Sequence, residues 1–151
     1  VSEGPGGGAC VLVHSADAAA AALRLAGGRR LVLLSAEGAA GLLGPRGWRA
    51  LVTRAAELAP GAAFGDLLCC GDAPGHALAA LRKGCRALVL DGGSPAYARV
   101  AEAASECGAV LLPARPPALD LRRLDLRRPA AAAILAQWLA AAPDDSGAPG
   151  G

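Results

Sequence analysis

Aromatic side chains are almost missing from this chain. Phe, Trp and Tyr together make up 3% of its 151 residues, and there is no Met. The hydrophobic fraction is still 54%, so a single domain's core has to be built from Ala, Leu and Val. The scarcity of rings also excludes a stacking platform for unpaired bases. Charge is sparse, at 19% of residues with a formal net charge of +2, below the usual share of about a quarter. That balance is too small for a nucleic-acid footprint, and no nucleic-acid partner is expected. No apolar run is long enough to span a bilayer, so no membrane partner is expected either. The five cysteines show no paired framework, and no secretory signal is read. Cys10, Cys69, Cys85 and Cys107 lie in or beside apolar runs, where a reduced thiol behaves as a small hydrophobe. A reducing, cytoplasmic setting is the expectation.

What is present is an alternation. Gly-rich residues 1–8 and the tail 143–151 read as flexible ends, with one domain over 9–142 between them. Within it, "ACVLVHS", "RLVLLSA", "AAFGDLLCC", "CRALVLD" and "AVLLPA" are short apolar runs of strand length. Each is followed by a helical pattern. "ADAAAAALRLAGG" stops at Gly27 and Gly28, and "GPRGWRALVTRAAELAPG" carries Trp48, Leu51, Val52 and Ala55 at helical spacing. "APGHALAALRKG" is short, and "SPAYARVAEAASECG" offers Ser94 as N-cap and Pro95 as the first helical residue. After a Pro-rich turn, "RRPAAAAILAQWLAAA" sets Ile134, Leu135 and Trp138 on one face. Five strand–helix units with strands apolar on both faces predict an α/β fold with a parallel sheet. The sheet is expected to be either open and doubly wound or part of a (βα) barrel. A full barrel of eight units needs about 250 residues.

Ligands of parallel α/β folds bind at the carboxyl ends of the strands. Those ends carry His14-Ser15, Ser35-Ala36-Glu37, Cys69-Cys70-Gly71-Asp72, Asp91-Gly92-Gly93-Ser94 and, beyond the fifth strand, Arg115. His14 is a candidate base or ligand; Ser15 and Asp17 suit helix capping. Cys70, Asp72 and His76 combine the atoms a zinc-type ion takes, but the spacing C-x-D-x-x-x-H is not a metal signature, and no metal is assigned. Cys70 is also a candidate reactive thiol, since the helix start beyond it would lower its pKa. "DGGSP" is either an anion cradle of exposed backbone N–H groups or a tight turn needing glycine torsions. Arg115, Arg122, Arg123, Arg127 and Arg128 form the one basic cluster, alternating with Leu119, Leu121, Leu124 and Leu126 and with Asp120 and Asp125. A solvated amphipathic segment is expected there, with a partner surface as the alternative.

The stretch "CCGDAPGHALAALRKGCRALVLDGG" resembles the segment of class II fructose-bisphosphate aldolases that reads roughly HLDHGD, then a helix, then GFxSVMxDGS. The separation of Gly71 from Gly84 fits that pattern, as does Asp91 at the close of the next strand. "RLVLLSAEGAAGLLGPRGWRALVTRAAE" is similar to the family's strand, Gly-Ala loop and helix, and the likeness runs over residues 9–114. It implies ancestry from such a barrel, or convergence on its first half. It also implies a catalytic aspartate and a metal-binding histidine where this chain has Cys69 and Cys70, and a metal-ligating Glu where "VLLPA" has none. The departures fall on the chemistry, so aldol cleavage by the family's mechanism is not expected.

Three functional readings follow. The first is a small aldolase-like α/β protein without class II catalysis, binding a small anionic metabolite through His14, Ser35, Cys70, Asp72, Asp91 and Ser94. No cofactor is assigned to it, and exposed strand edges or helix faces would favour a homo-oligomer. The second is a non-catalytic interaction module using the Arg/Leu segment. The third is a thiol- or metal-dependent enzyme centred on Cys70.

Overall fold

The computed structural model describes residues 7–142. The ends expected to be flexible therefore lie outside the described residues, apart from Gly7 and Gly8. Six strands form one sheet: β1 (Ala9–Leu12), β2 (Leu31–Leu34), β3 (Phe64–Cys69), β4 (Ala87–Val89), β5 (Val110–Leu112) and β6 (Leu119–Asp120). Every pairing is parallel, and the order is β5-β4-β3-β2-β1-β6. The fold is α/β with an open parallel sheet; β5 and β6 end it and do not close a barrel.

The helices are α1 (Ala16–Ala26), α2 (Ala39–Leu42), α3 (Gly44–Leu58), α4 (Pro74–Arg82), α5 (Tyr97–Glu106) and α6 (Pro129–Ala141). Local chemistry explains their limits. The Ser15 hydroxyl accepts the Ala18 N–H at 3.1 Å and starts α1, an alanine-rich helix that turns out at Gly27. Pro occupies the first turn of α3, α4 and α6, where its missing N–H costs nothing. The short α2 had no clear sequence signal. The α5 start differs from expectation: Ser94 is not the cap. Its N–H donates to the Asp91 carbonyl and its carbonyl accepts from Tyr97, so 91–96 is spent on turns and the helix begins after Pro95. In α6, Leu135 is buried with Ala131 and Leu139, whereas Ile134 points outward, 43% exposed.

From β1 to β5 each crossover steps the same way along the sheet. Right-handed crossovers then put every intervening helix on one face. The core has that form: Val11, Val13, Leu31, Leu33, Leu68 and Leu88 share a cluster with residues of all six helices. The opposite face is a second cluster of Cys10, Leu12, Val32, Leu34, Leu67, Cys69, Ala87 and Val89, and no helix residue belongs to it. Helices on both sides were the expected reason for doubly apolar strands. The observed arrangement is different: no helix covers the second face, and Leu112 of β5 and Ala118 before β6 pack against it.

The link between β5 and β6, residues 113–118, runs past the carboxyl ends of β4 and β2 and then beside the start of β1, where Pro116 and Pro117 line a cavity with Gly8, Ala9 and Cys10. The Pro113 carbonyl accepts the Gly92 N–H beyond β4, and Arg115 donates to the Ser35 carbonyl beyond β2. Leu112 and Ala118, at its two ends, pack on the helix-free cluster. Seven extended residue steps reach about 25 Å, and five strand spacings on a flat sheet total about 24 Å. The link is thus close to taut unless the sheet curls, and we call it the strap.

The Leu119–Arg128 segment is not simply solvated. Leu119 and Asp120 pair with Val11 and Leu12 as β6, a 3-10 turn follows at Leu121–Arg123, and the four leucines turn toward the helix-side core. Two aromatics tie the helix layer to the sheet, one at the β5 edge and one at β1. Tyr97 donates its hydroxyl to the Leu111 carbonyl at 3.3 Å, and Trp138 donates Nε1–H to the Cys10 carbonyl at 2.9 Å. Of the edges expected to favour self-association, the one at β5 is therefore partly covered, at Leu111.

Candidate functional site

The strand order lines up the predicted positions along one rim, from Asp91 and Ser94 after β4, through Cys70 and Asp72 after β3 and Ser35 after β2, to His14 after β1. Their side chains do not form one cluster. His14, Asp72 and Asp91 are exposed, Ser94 is half-buried, and Ser35 and Cys70 are buried.

Ser35 is consumed by the fold. In a parallel ladder its carbonyl would take the Cys69 N–H; here its hydroxyl takes that N–H at 2.8 Å and donates to the Ala36 carbonyl at 3.1 Å. The Ser35 carbonyl is thereby released to accept from Arg115 Nη2 at 3.3 Å. Ser35, expected among the ligand residues, is 1% exposed, and its hydroxyl is engaged with the backbone.

Cys70 is enclosed as well. Its side chain lies on the helix-covered face, and its sulfur is 3.9 Å from the Leu68 carbonyl. Burial, with Cys69 and Cys85 beside it, pushes the thiol up to about 12, opposite to the lowering expected from a helix start. Such a thiol is protonated at neutral pH and is a poor nucleophile. His76 does not turn toward it. The imidazole lies against Gly41 of α2, where an added Cβ would come 2.8 Å from Cε1. Among the described residues no group of three or more His, Cys, Asp or Glu side chains is arranged to hold a metal ion.

The "DGGSP" turn is not an open anion cradle. Gly92 N–H goes to Pro113, Gly93 N–H to the Asp91 carboxylate at 2.9 Å, and Ser94 N–H to the Asp91 carbonyl. The turn reading holds, for a different reason than glycine torsions. Gly92 is needed for close approach, since a Cβ there would sit 3.0 Å from the Cβ of Pro113.

Arg115 carries the chemistry that remains at this rim. The sequence set it in a basic cluster; the strap draws it over the end of β2. One guanidinium edge reaches Ser35, and Nη1 lies 3.7 Å from the Glu37 carboxylate, which is 79% exposed. Its Nε is buried and has no hydrogen-bond partner among the described residues. Three of the other arginines of that cluster have carboxylate partners. Asp120 accepts both the backbone N–H of Arg122 at 3.0 Å and its Nη2 at 2.8 Å, and Asp125 holds Arg127 in the same way and lies 3.6 Å from Arg128. The only sequence signal for Arg115 was its place just past the fifth strand. Its position over β2 depends on the strap, which no local pattern reveals. No family model, curated protein or solved structure matches the chain.

Proposed function

We propose that this chain is a small aldolase-like α/β protein that binds a small anionic metabolite at the carboxyl rim of its sheet, without class II aldolase catalysis. The observation that carries the reading is Arg115, whose side chain is 30% exposed over the rim: its Nη2 reaches the Ser35 carbonyl at 3.3 Å and its Nη1 comes only within 3.7 Å of Glu37, both at or beyond the usual hydrogen-bond range. An anion with two oxygens matches the fork that a guanidinium presents. His14, Asp72, Asp91 and Ser94 flank that position along the rim and are the residues available to read the remainder of a ligand. Cys69 and Cys70, at the positions of the family's acid/base and metal residues, are both buried, which supports binding without that chemistry.

A thermal-shift screen with phosphosugars and small carboxylic acids tests the reading. Stabilisation by at least one anion, lost in Arg115→Lys, is the expected result. No stabilisation by any anion, or an equal shift in Arg115→Lys, removes it. A second reading, an interaction module on the Arg/Leu segment, is narrowed by the inward turn of the leucines. Only the arginine side remains for a partner. Unchanged capture of partners after substitution of Arg122, Arg123, Arg127 and Arg128 would count against it.

A further inference from the structure

The candidate anion site already has a carboxylate beside it. Glu37 stands in the loop between β2 and α2 and places an oxygen 3.7 Å from Arg115 Nη1. That distance is beyond a good charge-assisted hydrogen bond, which spans about 2.7–2.9 Å. The Glu37 side chain is 79% exposed, against 30% for Arg115, so the carboxylate approaches the guanidinium from the solvent side. The inner side is fixed by a neutral acceptor, the Ser35 carbonyl. Arg115 thus has a held inner edge and a loosely occupied outer one.

Resting on the binding function proposed above, we propose that Glu37 is an internal competitor for the anion site, and that the ligand it stands in for is a small carboxylic acid. A ligand carboxylate takes the outer edge of Arg115 as Glu37 swings into solvent. The strap stays closed, because its tie to Ser35 is on the other edge. Displacing an exposed pair costs little, so the competition weakens binding without preventing it. Surface ion pairs contribute roughly 0–1 kcal/mol, which sets the size of the effect: removal of the Glu37 charge tightens binding by about two- to fivefold.

Isothermal titration calorimetry on the full chain at low ionic strength, with succinate as probe and inorganic phosphate as a second arm, tests this. Glu37→Gln keeps the side-chain shape at an exposed position, so folding is preserved. The expected result is succinate binding by the wild type, binding about two- to fivefold tighter in Glu37→Gln, and weakened binding in Arg115→Lys. Glu102→Gln, on the exposed side of α5, removes the same charge elsewhere and is expected to leave the affinity as it was. Equal affinities in wild type and Glu37→Gln, with loss in Arg115→Lys, overturn the competitor role and leave the anion site standing. Equal gains in Glu37→Gln and Glu102→Gln overturn it in favour of a general field. A gain for phosphate without one for succinate overturns the carboxylate assignment. Absence of binding to either probe in all four proteins removes the site and the competitor together.

Discussion

Where β2 ends, one hydroxyl changes what two backbone groups can do. Ser35 Oγ fills the ladder position of its own carbonyl, accepting from Cys69, and the freed carbonyl anchors the strap through Arg115. Ser35→Ala would leave the buried Cys69 N–H to compete for the carbonyl that Arg115 now uses. Either Cys69 or Arg115 then loses a partner, at a cost of about 1–3 kcal/mol. Urea denaturation is expected to show a lower midpoint for Ser35→Ala by that amount with an unchanged slope. A midpoint equal to wild type would mean the hydroxyl is not needed at this position. The sequence marked Ser35 as a strand-end residue and a ligand candidate. It could not show that the hydroxyl is spent, because its donor is thirty-four residues away on another strand.

Among the elements, the segment after the strap shows how alternation was legible while its geometry was not. The leucine/arginine repeat was legible, with leucines at 119, 121, 124 and 126 and arginines between and after them; a strand pairing with β1 does not follow from it. The carboxylates of Asp120 and Asp125 each fold back on the arginine two residues ahead. The hydrogen bond from the Arg122 side chain, with the backbone N–H and the charge, pulls the Asp120 carboxyl down to about 2. The sign follows from linkage: a carboxyl with a lowered folded-state pKa stabilises the fold above its unfolded value near 3.9, and that contribution is lost as pH falls toward about 2. Carboxyl chemical shifts followed by NMR should show Asp120 titrating near its lowered value in the wild type. In Arg122→Gln the midpoint is expected to rise toward the ordinary range. An unchanged midpoint would show that Arg122 is not its cause.

For the whole molecule, two apolar layers lie on the two faces of one sheet, and only one is covered by helices. Four of the five thiols are distributed between them: Cys70 and Cys85 on the helix side, Cys10 and Cys69 on the strap side, with Cys107 exposed at the end of α5. Burial raises Cys10 to about 11, Cys70 to about 12 and Cys85 in the same direction. In the native protein at pH 8, a thiol-reactive chromophore is expected to label Cys107 alone, with the other four reacting only after unfolding. Rapid native labelling of Cys70 would contradict the packing and revive a reactive thiol. The aromatics, few as they are, are spent at structural junctions: Tyr97 on the β5 edge, Trp138 on β1 and Trp48, through Nε1, on Asp66.

The sequence by itself determined the α/β class, the parallel sheet and the five repeated units. Strand length, helix stops at Gly27 and Pro60-Gly61, and doubly apolar runs are local properties of a few neighbouring residues. It also named the rim where His14, Ser35, Asp72 and Asp91 lie, since a strand's carboxyl end is read directly from the order of residues. Tertiary structure alone decided that the helices share one face, that β6 returns beside β1, and that Arg115 crosses to the end of β2. It also decided that Cys70 is inside rather than at the rim. Each of these depends on contacts between residues far apart in the chain, and helical or strand periodicity holds no information about which strand becomes the neighbour of which.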